Sequence, residues 1–209
     1  MIFDPEKHHR RSIRLKNYDY SRSGMYFVTL CSYKRQSWFG EIKNARMHLN
    51  QIGKIIADEW LRTPEIRPNF QLDEWIVMPN HLHGIVIITE SLAEDGSILG
   101  ARNKNMVDVN TRKDRIQGAR NAPLQRKPHS LSSFVAGFKS AVTKRINLLR
   151  HSHDIPIWQR NYYESIIRDE KALIAIREYI LSNPYRWQND PDNLQPERNL
   201  PELSLDLFF

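Results

Sequence analysis

Two pairs of residues in this chain have the types and spacing for chemistry. His81 and His83, in "MPNHLHGIVII", stand one residue apart at the head of an aliphatic run. Strand side chains alternate between faces, so both imidazoles point one way and Leu82 the other. Two imidazoles on one face can grip a metal ion, and the same pattern also describes polar residues at a strand mouth. The second pair is Tyr179 and Asn183, in "EYILSNP". Four residues apart on a helix, they share a face about one turn apart. A neutral phenol is a poor nucleophile, but it can attack phosphorus once the phosphate is polarised. A metal ion held by two histidines and an oxygen or amide ligand can do that polarising. A helix lying across the sheet near the histidines would present tyrosine and amide toward one ion.

The elements that must position these residues can be read in order. A strand is expected at about 25–33, rich in β-branched and aromatic residues, then a short β-excursion around Lys43-Asn44. A helix fits about 50–62, capped by Asn50, with Ile52, Ile55, Ile56 and Trp60 at helical spacing; Pro64 and Pro68 are expected to end it. "FQLDEWIVMP" and "LHGIVIIT" read as a hairpin joined tightly at Pro79-Asn80. Asp73 and Glu74 read as solvated strand residues. Residues 90–128 lack aromatics and sustained periodicity and read as a flexible insertion. A helix at about 131–150 carries the stripe Phe134, Phe138, Val142 and Ile146. A strand fits "YYESIIR", and a last helix, capped by Asp169, is expected to stop at Pro184. Strand, helix, hairpin, helix, strand and helix make an α+β, ferredoxin-like sandwich, an antiparallel sheet with helices packed on one face.

The chain has 209 residues and a formal net charge of +7. That suggests one domain, residues 25–187, between a basic N-terminal arm at 1–24 and an acidic, Pro-rich tail at 188–209. The excess of cations favours a polyanionic partner, nucleic acid first. Lys7, Arg10, Arg11, Arg14 and Lys16 crowd the arm, and Lys139, Lys144, Arg145 and Arg150 decorate the 131–150 helix; each group reads as a DNA-facing surface or a solvated one. Arg160 lies beside Trp158, Tyr162 and Tyr163, which can stack on bases or close the core. Cys31 is the single cysteine and reads as a buried core thiol. The first residues lack a secretion signal's apolar region and no run reaches transmembrane length, so a cytoplasmic, DNA-associated protein with no membrane partner is expected.

Several segments in one order carry a resemblance. "MPNHLHGIVI", "SLSSFVAGFKSAVTKRIN", "IWQRNYYESIIRDE" and "IREYILSNPYRW" resemble the REP-associated tyrosine transposases, within the single-tyrosine HUH transposases of insertion sequences. "RSIRLKNYDYSRSGMYFVTLCSY" and "WFGEIKNARMHLN" fit the same family, so the likeness covers roughly residues 10–90 and 128–187. The resemblance implies that His81 and His83 are a metal pair for Mg²⁺ or Mn²⁺. It implies that Tyr179 is the nucleophile forming a 5′-phosphotyrosine, with Asn183 where related enzymes carry a glutamine ligand. The implied activity is metal-dependent cleavage and joining of single-stranded DNA beside hairpins, by a monomer or a homodimer. The insertion at 90–128 departs from compact members of the family and leaves the motifs intact.

Two other classes compete. A hairpin-specific DNA-binding protein that does not cut would need none of the constellation of His81, His83 and Tyr179. An RNA-binding α+β domain would show alternating aromatics on an exposed sheet face, and the glycine-aromatic signature is not seen. His151 and His153 form a second HxH and receive no role, like His48.

Overall fold

The computed structural model describes residues 18–89, 127–151, 156–190 and 193. Arg10, Arg11 and Arg14, nearly all of the expected insertion, and most of the acidic tail lie outside the described residues.

Among the described residues six strands and four helices follow one another: β1 (Gly24–Cys31), β2 (Gly40–Lys43), β3 (Arg46–Leu49), α1 (Gln51–Leu61), α2 (Thr63–Ile66), β4 (Phe70–Met78), β5 (His81–Ile88), α3 (Leu131–Arg150), β6 (Tyr163–Ile167) and α4 (Glu170–Arg186). The main sheet runs β4-β5-β1-β6, with every neighbouring pair antiparallel, and β2 and β3 form a separate hairpin. Without that hairpin, α2 and α4, the order is the βαββαβ arrangement of a ferredoxin-like fold. The α+β architecture expected from the sequence is the one found.

Alternation along the strands divides the sheet into two faces. Tyr26, Val28 and Leu30 of β1 and Leu82 and Val86 of β5 pack with Ile56 and Trp60 of α1 and with Leu131, Phe134, Phe138, Val142 and Ile146 of α3. This is the main core, and the four-residue stripe read in α3 is its helical wall. The helix caps are those the side chains favour: Asn50, Ser130 and Asp169 each accept a backbone N–H of the first turn. The opposite face holds Met25, Phe27, Ile76, Ile85 and Ile167, and α4 covers it with Ala172, Leu173, Ile176 and Ile180. Helices α1 and α3 thus share one face of the sheet, and α4 lies across the other.

Two proline readings change. Pro64 does not simply end α1; it stands in the first turn of α2, where its missing N–H has no partner to lose. Pro184 lies inside α4, which continues to Arg186 and into a 3-10 turn at Trp187–Asn189. Buried Ile180 and Asn183 and the largely buried Trp187 seat this end of the helix on the sheet, and that tertiary seating overrides the local preference to stop.

Gly84 lies between the two layers. A Cβ there would stand 2.4 Å from Cζ2 of Trp60, and Trp60 is fully buried, with its ring centroid 5.6 Å from that of Phe134. Gly84→Ala is expected to destabilise the fold by about 1–3 kcal/mol through overpacking. A chemical-denaturation midpoint equal to that of the parent chain would contradict this.

Candidate active site

The same alternation places the histidines. Register pairs His81 with Cys31 and His83 with Thr29, so both imidazoles lie on the face covered by α4. A strand mouth predicts polar residues open to water; here His81 is 1% exposed and His83 3%. The rings stand 4.3 Å apart between centroids. Phe27 stacks on His83 at 5.3 Å, and Trp187 closes over His81 at 6.0 Å.

Hydrogen bonds set the state of each ring. The amide nitrogen of Asn80 donates to the carbonyl of Arg35 at 3.0 Å. A carbonyl can only accept, so the amide oxygen is the atom that faces His81 Nδ1, at 2.8 Å. Nδ1 therefore carries the proton and donates, and Nε2 of His81 keeps a bare lone pair. That Nε2 is buried without a hydrogen-bond partner. His83 Nδ1 lies 2.9 Å from the Thr29 hydroxyl, and its Nε2 lies 3.3 Å from the Tyr179 hydroxyl. With the phenol protonated, the consistent arrangement has Tyr179 donating to Nε2 and Nδ1–H donating to Thr29. Burial keeps both rings neutral: it holds His81 well below the usual histidine range, with the neighbouring His83 ring and the Arg35 cation opposing its protonation further, and brings His83 to about 3.

Helix α4 brings the second pair to the same place. Tyr179 is 39% exposed, open to solvent on one side and packed edge-on against His83 and Phe27 on the other. Asn183, one turn on, is 1% exposed, and its side-chain oxygen is buried without a partner. Burial, with Asp190 nearby, pushes the Tyr179 phenol up; the Asn183 amide and Arg186 pull it back. The phenol is neutral at pH 7. A cleft of about 490 Å³ opens beside Tyr179 and Asn183 toward Arg186 and Asp190.

These donors fit a divalent cation. His81 Nε2 and Asn183 Oδ1 are buried acceptors without donors, and the outer nitrogens of both imidazoles are occupied by Asn80 and Thr29, the support that metal-binding histidines require. No cluster of three His, Cys, Asp or Glu side chains forms a metal site among the described residues, so the set would be two imidazoles and an amide.

The other sequence candidates lie elsewhere. Lys139, Lys144 and Arg145 sit on α3, across the sheet from the imidazoles. Lys139 donates to the carbonyls of Gln159 at 2.9 Å and Asn161 at 2.8 Å, and burial lowers its pKa to about 8. Arg145 pairs with buried Glu59 at 2.9 Å and with Asp58 at 3.3 Å. Lys144 and Arg160 are exposed, Arg160 in the segment leading into β6. Of the rival tyrosines, Tyr162 packs against the main core. Tyr163 pairs with Thr29 and shares the histidine face, half exposed on the edge strand.

Sequence reading passed over four contributors. Thr29 and Asn80 orient the imidazoles. Arg35, left-handed at φ 55°, is held through its carbonyl by Asn80 and acts on His81, Cys31 and Asp190. Asp73, read as a solvated residue, receives the Arg177 guanidinium at 2.8 and 2.6 Å and so joins β4 to α4. A break in strand register between Leu72 and Trp75 accompanies it, and such bulges re-aim side chains.

No family model matches the sequence. An uncharacterized protein of Haemophilus influenzae (strain Rd) is 39% identical over 183 residues, covering 88% of this chain and 92% of that protein. This chain belongs to the same family as that protein. Among solved structures, this chain's fold is similar to that of a REP-associated tyrosine transposase bound to a REP hairpin. That match has a TM-score of 0.50 and 17% identity, and spans 83% of this chain and 74% of the other. A transposase assignment from Deinococcus radiodurans R1 gives a TM-score of 0.39 at 15% identity, over 81% and 96%. Among the described residues no helix is long and apolar enough to cross a membrane.

The Asp73–Arg177 pair yields a test of how α4 is held. The Arg177 guanidinium keeps the Asp73 carboxyl below the usual carboxylate range. A depressed carboxylate pKa contributes stability that is complete above the unfolded value, about 4, and fades as pH falls through the folded one. The protection of α4 amides, exchange relative to the intrinsic rate at each pH, should therefore fall at acid pH in the parent chain. In Asp73→Asn it should be low already at pH 7, with α1 and α3 unaffected. Equal α4 exchange at pH 7 in parent and variant would contradict the latch.

Proposed function

We propose that this protein is a metal-dependent enzyme that cuts and rejoins single-stranded DNA beside hairpins, with Tyr179 as nucleophile and a 5′-phosphotyrosine intermediate. The observation that carries the reading is the Tyr179 hydroxyl 3.3 Å from Nε2 of His83, beside a second buried imidazole with a bare lone pair. The fold shared with a hairpin-bound tyrosine transposase supports the same substrate class.

His81 Nε2, His83 Nε2 and Asn183 Oδ1 would hold the ion, Mg²⁺ or Mn²⁺, whose charge polarises a phosphodiester and favours the phenolate. The chain's own groups do the rest. Burial keeps the imidazoles neutral, and Asn80 and Thr29 hold their outer nitrogens so that the lone pairs turn inward. Tyr179 oxygen attacks phosphorus and forms a P–O bond as the bond to the 3′ oxygen breaks. The proton lost by the phenol is made good on the leaving oxygen, which departs as a 3′-OH. One phosphoester replaces another, so rejoining needs no external energy. Arg186, on the rim of the cleft, and the basic arm with Arg10, Arg11 and Arg14 supply phosphate contacts.

Incubation with labelled hairpin-bearing single-stranded DNA and Mn²⁺ should give a covalent protein–DNA band in denaturing gels. Tyr179→Phe should lose the band and retain DNA binding. A band that persists in Tyr179→Phe and disappears in Tyr163→Phe moves the nucleophile to the neighbouring strand. Binding without any band in the parent chain means a hairpin-binding protein that does not cut.

The ion is tested apart from cleavage. Thr29→Val keeps side-chain shape and removes the partner of His83 Nδ1. Mn²⁺ affinity, read by electron paramagnetic resonance of free Mn²⁺, should fall roughly 10–100-fold, and in His81→Ala binding should be lost. Unchanged Mn²⁺ binding in both variants would remove the metal from these residues.

A further inference from the structure

The turn that follows β1 is held in a conformation its residues do not favour. Lys34 and Arg35 stand in succession in the left-handed region, at φ 54° and φ 55°, which costs stability in any residue that carries a Cβ. Neighbouring groups pin the turn there. The Tyr33 N–H donates to the Ile157 carbonyl at 2.8 Å, the Ser32 hydroxyl to the Gln36 carbonyl at 2.7 Å, and the Asn80 amide to the Arg35 carbonyl at 3.0 Å. The same Asn80 side chain fixes the proton of His81. The Arg35 backbone is therefore tied, through one amide, to an imidazole of the site. Backbone strain persists where surrounding contacts over-determine it, and such places cluster at active sites.

The Arg35 side chain is half-buried. Its charge opposes protonation of His81 and pulls the Asp190 carboxyl down against the burial that raises it. Asp190 is a wall of the cleft that Tyr179 and Asn183 line. The guanidinium thus lies within electrostatic reach of both the imidazoles and the cleft.

Charge balance says what the site still needs. His81, His83 and Asn183 are neutral. Attack by Tyr179 on a phosphodiester gathers a phenolate and a phosphate beside the Asp190 carboxylate, one negative charge more than a divalent ion offsets. As the bond from the Tyr179 oxygen to phosphorus forms and the bond to the 3′ oxygen breaks, charge grows on the non-bridging oxygens. A guanidinium can meet that pair of oxygens with parallel N–H donors. Arg186 also reaches the cleft, but it is exposed on the rim, where water and salt screen it. A half-buried cation acts through less water and stabilises developing charge more strongly.

We propose that Arg35 is a catalytic residue: its guanidinium leaves Asp190 as the scissile phosphate enters and holds the non-bridging oxygens of the phosphorus under attack by Tyr179. Asp190 is its counter-charge in the free protein. The inference rests on the strand-cleavage reading above.

Arg35→Gly tests it, because glycine adopts a left-handed φ without strain. The melting temperature of this variant should equal or exceed that of the parent chain. With hairpin-bearing single-stranded DNA and Mn²⁺, the single-turnover rate of covalent-band formation should fall roughly 100-fold, while DNA binding changes by less than about threefold. Millimolar guanidinium chloride should restore part of the rate in Arg35→Gly and none in Tyr179→Phe. Arg35→Lys keeps the charge, loses the planar fork, and should also be slower than the parent. A parent-like rate in Arg35→Gly would overturn the proposal and leave the strand-cleavage reading standing. So would a loss of rate matched by an equal loss of DNA binding, or a loss that guanidinium does not restore. A parent chain that forms no band at all would take down both readings together.

Discussion

The site depends on keeping two imidazoles uncharged beneath a helix. A histidine in water is partly protonated near neutrality, and a protonated ring binds no cation. Burial on both sides removes that option: the rings of Phe27, Tyr179 and Trp187 enclose the pair. Neutrality alone would leave the tautomer open. Asn80 settles it for His81, because the carbonyl of Arg35 dictates which end of the amide faces the ring. The lone pairs are therefore set before any ligand arrives, which is how a rigid scaffold lowers the reorganisation that binding would otherwise require.

This constraint makes α4 part of the site as well as part of the fold. Its inward face is thinly apolar, with Ile180 and Asn183 as its fully buried residues. The Arg177–Asp73 pair and the Trp187 ring hold the helix at its middle and at its end. Placing Asn183, an amide, at a buried position costs stability unless its oxygen finds a partner. A helix that carries a buried amide oxygen without a partner has given up local stability at one position, a pattern expected where a side chain is kept for chemistry.

Much of the scaffold was legible because local chemistry and tertiary packing agree there. Asn50 and Asp169 cap the helices they precede, the stripe of Phe134, Phe138, Val142 and Ile146 faces the core, and period-two spacing puts His81 and His83 together. Legibility ended where a partner decides the outcome. Alternation cannot register the break between Leu72 and Trp75, so Asp73 looked like a solvent residue. Pro184 looked like a stop because the seating of α4 on the sheet lies outside its local sequence. Lys139 and Arg145 read as DNA-facing or solvated cations, and neither reading contains the partners each finds within the fold, carbonyls for one and carboxylates for the other. Charge on a helix says how many cations there are; where they point depends on anions and carbonyls supplied by other segments.

The chain contains its own control for the histidine motif. His151 and His153 repeat the HxH pattern, and the pattern alone does not distinguish them from His81 and His83. His151 ends α3 in a left-handed turn at φ 50° and is exposed; His153 lies outside the described residues. His151 stands outside any strand, with no helix packed over it. The chemistry of the first pair therefore belongs less to two histidines than to their surroundings. Those surroundings are a central strand that aims both rings, two neighbours that fix their protons, and a helix that excludes water while delivering a phenol to one ring's open nitrogen.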